Sequence, residues 1–302
     1  MSPLLVTVAT EFLERQGLAP STVRSYELTL LPLLKEYGCL PIELLTLEYL
    51  QNYLNNLKDI KYTTHNRHQT IINALFNFAV SLGYIKSNPM ARLSWRKPEA
   101  AKREHLPDEP VHYLTSEQLK TLYHLVSSHP RLNAIVHLLH RTGARIGELL
   151  ALDLDDVDWG NRKFQVIGKG NRQRWCFYSQ DAEYSLSRYV QYYRYSSCEA
   201  LFTAQHPLTK EVTRISYQTV YRDWTSLTHQ SSLLKETRLH DLRHTFATER
   251  VGLMGIEELR ALLGHQNIQT TLRYQKVTSA RAEEVAQKAL KVLTKNDSQK
   301  AP

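Results

Sequence analysis

Between Thr237 and Tyr274, in TRLHDLRHTFATERVGLMGIEELRALLGHQNIQTTLRY, lie a His-x-x-Arg pair at His240 and Arg243, a Leu-Gly-His at Leu263 to His265, and a tyrosine nine residues further on. Two imidazoles, a guanidinium and a phenol suit an attack on a phosphate. The guanidinium grips the oxygens in bidentate fashion while a base activates the phenol. A lone His or Tyr on an apolar helix is ordinarily a packing residue, so the fragments carry weight only together. A competing chemistry is a zinc hydrolase. His240 and His244 stand four apart with an acid, Asp241, between them, which resembles the H-E-x-x-H zinc helix. Against it, Asp replaces the Glu and no third ligand follows at family spacing, so no metal is assigned.

These side chains need elements that converge. Leu239, Leu242, Phe246 and Ala247 recur at helical spacing, so His240 and Arg243 share one face of that helix. Gly264 suits a left-handed helix stop that leaves His265 just beyond the end, and Asn267 can cap a new helix carrying Tyr274. Earlier, Arg145 and Glu148 in ARIGELL lie three apart on a short apolar helix, where the acid can hold the guanidinium in one rotamer. Flanking Ile146, Leu149 and Leu150 argue for a buried setting. Two helices precede it. One is capped by Thr115 or Ser116 and runs through Leu119, Leu122 and Leu125; the other has Leu132, Ile135, Val136 and Leu139 inside and ends near Gly143. From Val157 to Tyr178 the period becomes strand-like, with turns at Gly160-Asn161 and Gly168-Lys169-Gly170-Asn171 separating KFQVI from RQRWCFY. This predicts a small antiparallel sheet with Lys169 at a hairpin tip, where its ammonium can reach a phosphate. Residues 181 to 236 read as mainly helical, with Arg188, Arg194, Arg214 and Arg222 as candidate backbone contacts.

A chain of 302 residues with net charge +8 should divide into two domains and favour a polyanionic partner. Cys39, Cys176 and Cys198 are odd in number and widely spread, which argues against a disulfide framework and fits a reducing cytosol. No signal peptide and no long apolar run are visible, so the expectation is a soluble, cytoplasmic, nucleoid-associated protein with no membrane partner. Residues 1 to 94 read as all helix. Tyr26, Leu30, Leu33, Leu34 and Tyr37 form one face that stops at Gly38, with Pro32 expected to kink it. Thr46 is placed to cap a second helix, and a third runs from about Thr63 to Leu82 with Gly83 ending it. Its polar opening turn offers His65, Asn66, Arg67 and His68 to phosphates or base edges. Residues 95 to 110, with three prolines and no apolar periodicity, read as a basic linker whose Lys97, Lys102 and Arg103 can track a nucleic-acid backbone.

The order TGARIGEL, GKG, LHDLRHTFAT, then LLGH followed nine residues later by Tyr resembles the tyrosine recombinase (phage integrase) family, and the length resembles its Xer-like two-domain members. STVRSYELTLLPLLKEYG and FNFAVSLGYIKSNPM resemble that family's helical core-binding domain, so the likeness covers nearly the whole chain. Ala144, where a larger aliphatic residue is common, and Pro32 are the departures, and neither touches the chemistry. The resemblance implies a mainly α fold with a small antiparallel sheet: a helical, SAM-like DNA-binding domain over 1–94, the linker 95–110 and a catalytic domain over 111–302. It implies Arg145, Lys169, His240, Arg243, His265 and Tyr274 as the catalytic set, with Glu148 supporting Arg145. At neutral pH only about one phenol in a thousand is ionised, and His240 is the expected base. Arg145 and Arg243 would clamp the scissile phosphate with a hydrogen bond from His265, and Lys169 would protonate the departing 5′ oxygen. A 3′-phosphotyrosine product conserves the bond energy, so neither ATP nor another cofactor is required. The expected partner is a double-stranded recombination site, bound by a homotetramer on two DNA sites. An amphipathic helix carrying Ala282, Val285, Ala286, Ala289 and Leu293 would dock in trans. The biological role is Xer-like chromosome or replicon dimer resolution, with integration or resolution for a mobile element as the alternative, and a non-catalytic DNA-binding regulator as a reading from another class.

Overall fold

The computed structural model describes residues 2–57, 60–99, 104, 111–168 and 172–275. Lys102, Arg103, Lys169 and the amphipathic segment after Tyr274 lie outside the described residues. The chain divides into two compact units, Met1–Glu109 and Pro110–Pro302.

The first unit is built from helices α1 (Leu5–Glu14), α2 (Pro20–Tyr37), α3 (Leu47–Asn56) and α4 (Tyr62–Ser81). Their apolar stripes meet in a core that includes Leu5, Phe12, Leu30, Leu33, Leu50 and Ile72. Helix α2 continues through Pro32 as one element, although the proline supplies no N–H to the helical ladder. Thr46 does occupy the N-cap position of α3, but its side chain makes no capping bond. Gly83, with φ 75°, follows α4. Helix α4 also holds down the chain that follows it: Gln69 donates to the carbonyls of Leu93 and Ser94, and Asn66 exchanges two hydrogen bonds with the backbone of Arg96. Arg96 in turn binds the Ile60 carbonyl and pairs with Glu104 at 3.0 Å. The segment expected to be linker from residue 95 is therefore tied to the first unit at its start.

The second unit opens with α5 (Ser116–Val126), capped by Thr115 and Gln118 reciprocally. It continues through α6 (Pro130–Thr142), α7 (Ile146–Leu150), a sheet of β1 (Val157–Asp158), β2 (Lys163–Gly168) and β3 (Arg172–Phe177), then α8 (Gln180–Tyr192). A second antiparallel pair, β4 (Thr203–Gln205) with β5 (Val212–Arg214), interrupts the stretch expected to be mainly helical. After it come α9 (Tyr217–Thr228), α10 (Leu239–Arg250), α11 (Ile256–Leu263) and α12 (Ile268–Leu272). Leu122, Ile135, Leu139, Phe164, Trp224 and Leu242 belong to the main core, and a smaller cluster joins Phe246, Leu259, Leu263 and Tyr274. In the β2–β3 hairpin Phe164 faces Cys176 and Val166 faces Arg174. Strand alternation thus turns Arg174 to the same side as buried Phe164, Val166 and Cys176.

Gly143 ends α6 in the left-handed conformation, φ 64°, and a Cβ there would lie 2.5 Å from the Phe246 ring. Gly83 has the same handedness, with nothing within 4 Å of its missing Cβ. Gly83→Ala should cost about 1 kcal/mol of stability, and Gly143→Ala roughly 2–4 kcal/mol because overpacking adds to the backbone strain. Urea melts of the two variants check the order.

Candidate active site

Arg243 sits on the inward face of α10 with 2% of its surface exposed. Its guanidinium is held by backbone carbonyls: Nη1 donates to Gly143 O, and Nη2 to Leu263 O and to His265 Nε2 at 3.1 Å. Gly143 and Gly264, both left-handed with φ 64°, end α6 and α11 and bring those carbonyls inward. Burial, together with the charges of Arg145 and Arg174, lowers the Arg243 pKa to about 10. The group stays cationic at neutral pH.

Arg145 is the N-cap residue of α7 and Glu148 stands three residues in. Glu148 accepts the Arg145 backbone N–H at 2.8 Å and its Nη1 at 2.8 Å. The sequence reading missed a third member. Arg174 of β3 donates to both Glu148 oxygens, at 3.0 and 2.6 Å, and through Nε to Leu262 O at 2.9 Å. Burial alone would raise the Glu148 pKa, but the hydrogen bonds from Arg174 and Arg145 bring it down to about 2. One buried carboxylate therefore fixes two guanidiniums, and the Arg145 side chain keeps 39% of its surface open for an anion. Gly264 packs against the Arg174 side chain, where an added Cβ would come within 3.1 Å.

His265 lies just beyond α11, as its spacing predicts, with Nδ1 2.9 Å from Thr271 Oγ1. Burial and the Arg243 charge bring its pKa to about 4. Asn267 caps α12 by accepting from Gln269 N. Tyr274 falls two residues past the end of that helix rather than within it, its N–H bonded to Thr271 O. The phenol is 3% exposed, and burial raises its pKa. Its hydroxyl lies 2.9 Å from His244 Nδ1. His240, the expected base, has no hydrogen bond to the phenol among the described residues. Its ring sits edge to face on His244, with centroids 4.6 Å apart. Burial lowers the His240 pKa, as do the charges of Arg243 and Arg145, although the residue keeps an exposed surface. His244 drops further, to about 4, through burial and the charges of His240, Arg243, Arg273 and His265. Asp241, the acid of the zinc reading, turns back to accept the Arg238 backbone N–H. No group of three His, Cys, Asp or Glu side chains fit to hold a metal occurs among the described residues.

Arg145, Arg174, Gly168 and His265 line one cleft of about 450 Å³. Gly168, the residue before Lys169, also lies against Glu148. The candidate nucleic-acid contacts of the first unit fare differently. His65 is buried and Asn66 is engaged with Arg96, whereas Arg67 is exposed and bonds Ser25 Oγ. His68 is partly buried and its pKa is lowered by burial, His65 and Arg67. Lys97 is exposed. Arg194 and Arg214 serve the fold, bonding the carbonyls of Ala200 and of Leu150 and Leu152. No helix among the described residues is long and apolar enough to cross a membrane.

Arg174→Lys keeps a charge but cannot reach both Glu148 oxygens and Leu262 O at once. It should leave DNA affinity within a few-fold and slow covalent chemistry by about 10²-fold, the cost of a displaced Arg145. Single-turnover assays beside filter binding separate the two effects.

The model of the phage integrase family matches residues 112–281. Tyrosine recombinase XerC of Natranaerobius thermophilus is 33% identical over 260 residues, covering 80% of this chain and 82% of that protein. XerC of Staphylococcus aureus is 26% identical over 254 residues, 81% and 82% of the two chains. Among solved structures, the Tn1549 transposon integrase in complex with a circular intermediate DNA aligns with a TM-score of 0.67 at 19% identity, covering 93% of this chain and 99% of that one. A lambda integrase dimer bound to a COC' core site aligns with a TM-score of 0.69 at 16% identity, covering 91% and 95%. These two share the fold. With the family model spanning more than half of the chain and the XerC relatives most of it, the chain belongs to the phage integrase family and is a site-specific tyrosine recombinase, a DNA breaking and rejoining enzyme.

Proposed function

We propose that Tyr274 attacks a DNA phosphodiester and carries the 3′ end as a phosphotyrosine until the free 5′ hydroxyl of a partner strand displaces it. The observation that carries this reading is the gathering of a buried phenol with His265 and Arg243, and of Arg243 with the charge of Arg145. Arg145 and Arg243 clamp the non-bridging oxygens, and their charge offsets the charge that develops as the phosphorus is attacked. His265 holds the Arg243 guanidinium that grips the phosphate. His240, close enough to both arginines to feel their charge, faces the same anion. Lys169 protonates the departing 5′ oxygen; Gly168 beside Glu148 supports that assignment. The bond energy stays in the phosphotyrosine, so the cycle needs neither ATP nor a metal.

The DNA partner is a double-stranded recombination site, and the working assembly is a homotetramer on two sites. A related fold is known as a lambda integrase tetramer bound to a Holliday junction. Arg67 and Lys97 are surface cations of the first unit that fit a DNA backbone. The biological role is Xer-like resolution of chromosome or replicon dimers, supported by XerC relatives matched over about four fifths of both chains. The Tn1549 and lambda integrases share this fold, which keeps mobile-element integration or resolution as the second reading. Mapping cleavage by the purified protein across its own genome decides between a single chromosomal site and element ends.

Tyr274→Phe should abolish the covalent complex while leaving DNA affinity within about two-fold, because it deletes one oxygen used only in the chemical step. A suicide substrate nicked near the cleavage point, run on a denaturing gel in EDTA, provides the measurement. An adduct persisting in the variant removes Tyr274 as nucleophile, and loss of wild-type cleavage in EDTA revives the zinc reading. Lys169→Ala should slow cleavage of a normal phosphodiester by about 10²-fold or more yet barely affect one with a bridging 5′ sulfur, since a thiolate leaves without a proton. Equal slowing on both substrates removes Lys169 from the role of acid.

A further inference from the structure

We propose that His244, rather than His240, is the general base that takes the proton from Tyr274. The inference rests on the tyrosine-nucleophile reading above and adds the identity of the group that activates the phenol.

The rings of His244 and His265 lie 5.7 and 6.3 Å from that of Tyr274, His240 packs behind His244, and hydrogen bonding eliminates two of the three imidazoles. At His265, Arg243 Nη2 faces Nε2 and Thr271 Oγ1 faces Nδ1. A guanidinium only donates, so Nε2 holds the lone pair and Nδ1 carries the proton and donates to Thr271. Neither nitrogen is left for the phenol. His240 touches the edge or face of the His244 ring and makes no hydrogen bond to Tyr274 among the described residues. His244 Nδ1 alone stands at 2.9 Å from the Tyr274 oxygen, within the reach required of a proton acceptor.

The direction of that bond follows from acidity. A phenol is a far stronger acid than a neutral imidazole N–H, so the hydroxyl donates and His244 Nδ1 accepts, with the ring proton on Nε2. Apart from the Tyr274 phenol itself, the groups that act on the ring oppose its protonation before reaction. His240 and Arg243 lie on its own helix, Arg273 follows α12 and His265 follows α11. Their charges add to burial and set the His244 pKa near 4. The lone pair is thus available across the neutral range. The phenol is 3% exposed, and this low-dielectric setting strengthens the O–H···N bond.

The step balances. The Tyr274 O–H bond breaks and its proton passes to His244 Nδ1. The phenolate oxygen forms the bond to phosphorus as the bond to the 5′ oxygen breaks, and that oxygen receives its proton from Lys169. When an incoming 5′ hydroxyl attacks the phosphotyrosine, the imidazolium returns the proton to the departing phenolate. An anionic phosphate on Arg243 favours the imidazolium, because it offsets one of the charges that opposed it.

The test compares His244→Asn, His244→Ala and His240→Asn. The Asn side chain at 244 places an amide oxygen where Nδ1 was and keeps a hydrogen-bond acceptor without a base. Covalent adduct formation on a nicked suicide substrate is followed from about pH 6.5 to about pH 9, below and towards phenol ionisation. DNA affinity and circular dichroism are measured alongside; should the Ala variant fail to fold, the Asn variant decides. At neutral pH, His244→Asn should lose about 10²-fold or more in rate with DNA affinity retained. The deficit should shrink by up to tenfold per pH unit, because the variant depends on the phenolate population while the wild type, its imidazole already neutral, does not. His240→Asn should show a deficit that is constant with pH. A wild-type rate in His244→Asn, a deficit that does not close with pH, or closure in His240→Asn instead overturns the proposal. If Tyr274→Phe still forms the adduct, the nucleophile reading fails; if Tyr274→Phe is dead and His244→Asn is unimpaired, only the base assignment fails.

Discussion

A guanidinium buried to 2% exposure must be solvated by the protein itself, because the desolvation of a lone cation costs several kcal/mol even after relaxation. Among the described residues, Arg243 meets that requirement without a hydrogen-bonded carboxylate. The Gly143 and Leu263 carbonyls and the His265 ring supply the partners. A carboxylate pressed against Arg243 would neutralise the charge that a phosphate needs. Carbonyl dipoles stabilise the cation and leave its net charge in place. The ends of α6 and α11, the left-handed glycines that close them and the position of His265 all follow from holding this one group.

Arg145 is handled differently. It is the more open of the two arginines, and Glu148 fixes it from behind at the cost of part of its charge. Arg174 restores the balance: two guanidiniums share one carboxylate held near pKa 2, so the knot keeps a net positive charge at neutral pH. Arg174 also binds Leu262 O while Arg243 binds Leu263 O. Two successive carbonyls at the end of α11 thereby register the β2–β3 hairpin against α10. The cleft inherits its positive character from backbone geometry as much as from side-chain composition.

Much of this was legible beforehand. The glycine stops at 143 and 264, the caps at Thr115 and Asn267, and the pairing of KFQVI with RQRWCF all rest on local chemistry, which sequence records directly. What escaped was set by distant packing. Arg174 looks like one more alternating residue in RQRWCF, and only the pairing of Val166 with Arg174 and Phe164 with Cys176 reveals that its face is the inner one. A signal was present, since Arg174 and Cys176 share a strand face. His244 was visible as the partner of His240 four residues on, but which of the two meets Tyr274, thirty residues on from His244, depends on the turn made after α11. Asn66 has the polar groups of a nucleic-acid contact but donates to the Arg96 carbonyl and accepts from the Arg96 N–H, an intramolecular use that composition does not distinguish. Strands β4 and β5 are three residues each, too short for periodicity to register.

The carbonyls that hold Arg243 have an evolutionary consequence. An ion pair can be lost through a single codon change at either partner, whereas every residue contributes a main-chain oxygen whatever its side chain. Substitutions at Leu263 that preserve the helix would leave its acceptor intact, and position 143 is vulnerable through the conformation its glycine permits and the closeness of the Phe246 ring. The anchoring of Arg243 is therefore written mostly in backbone shape, and relatives can drift far in sequence around it while the charge stays in place.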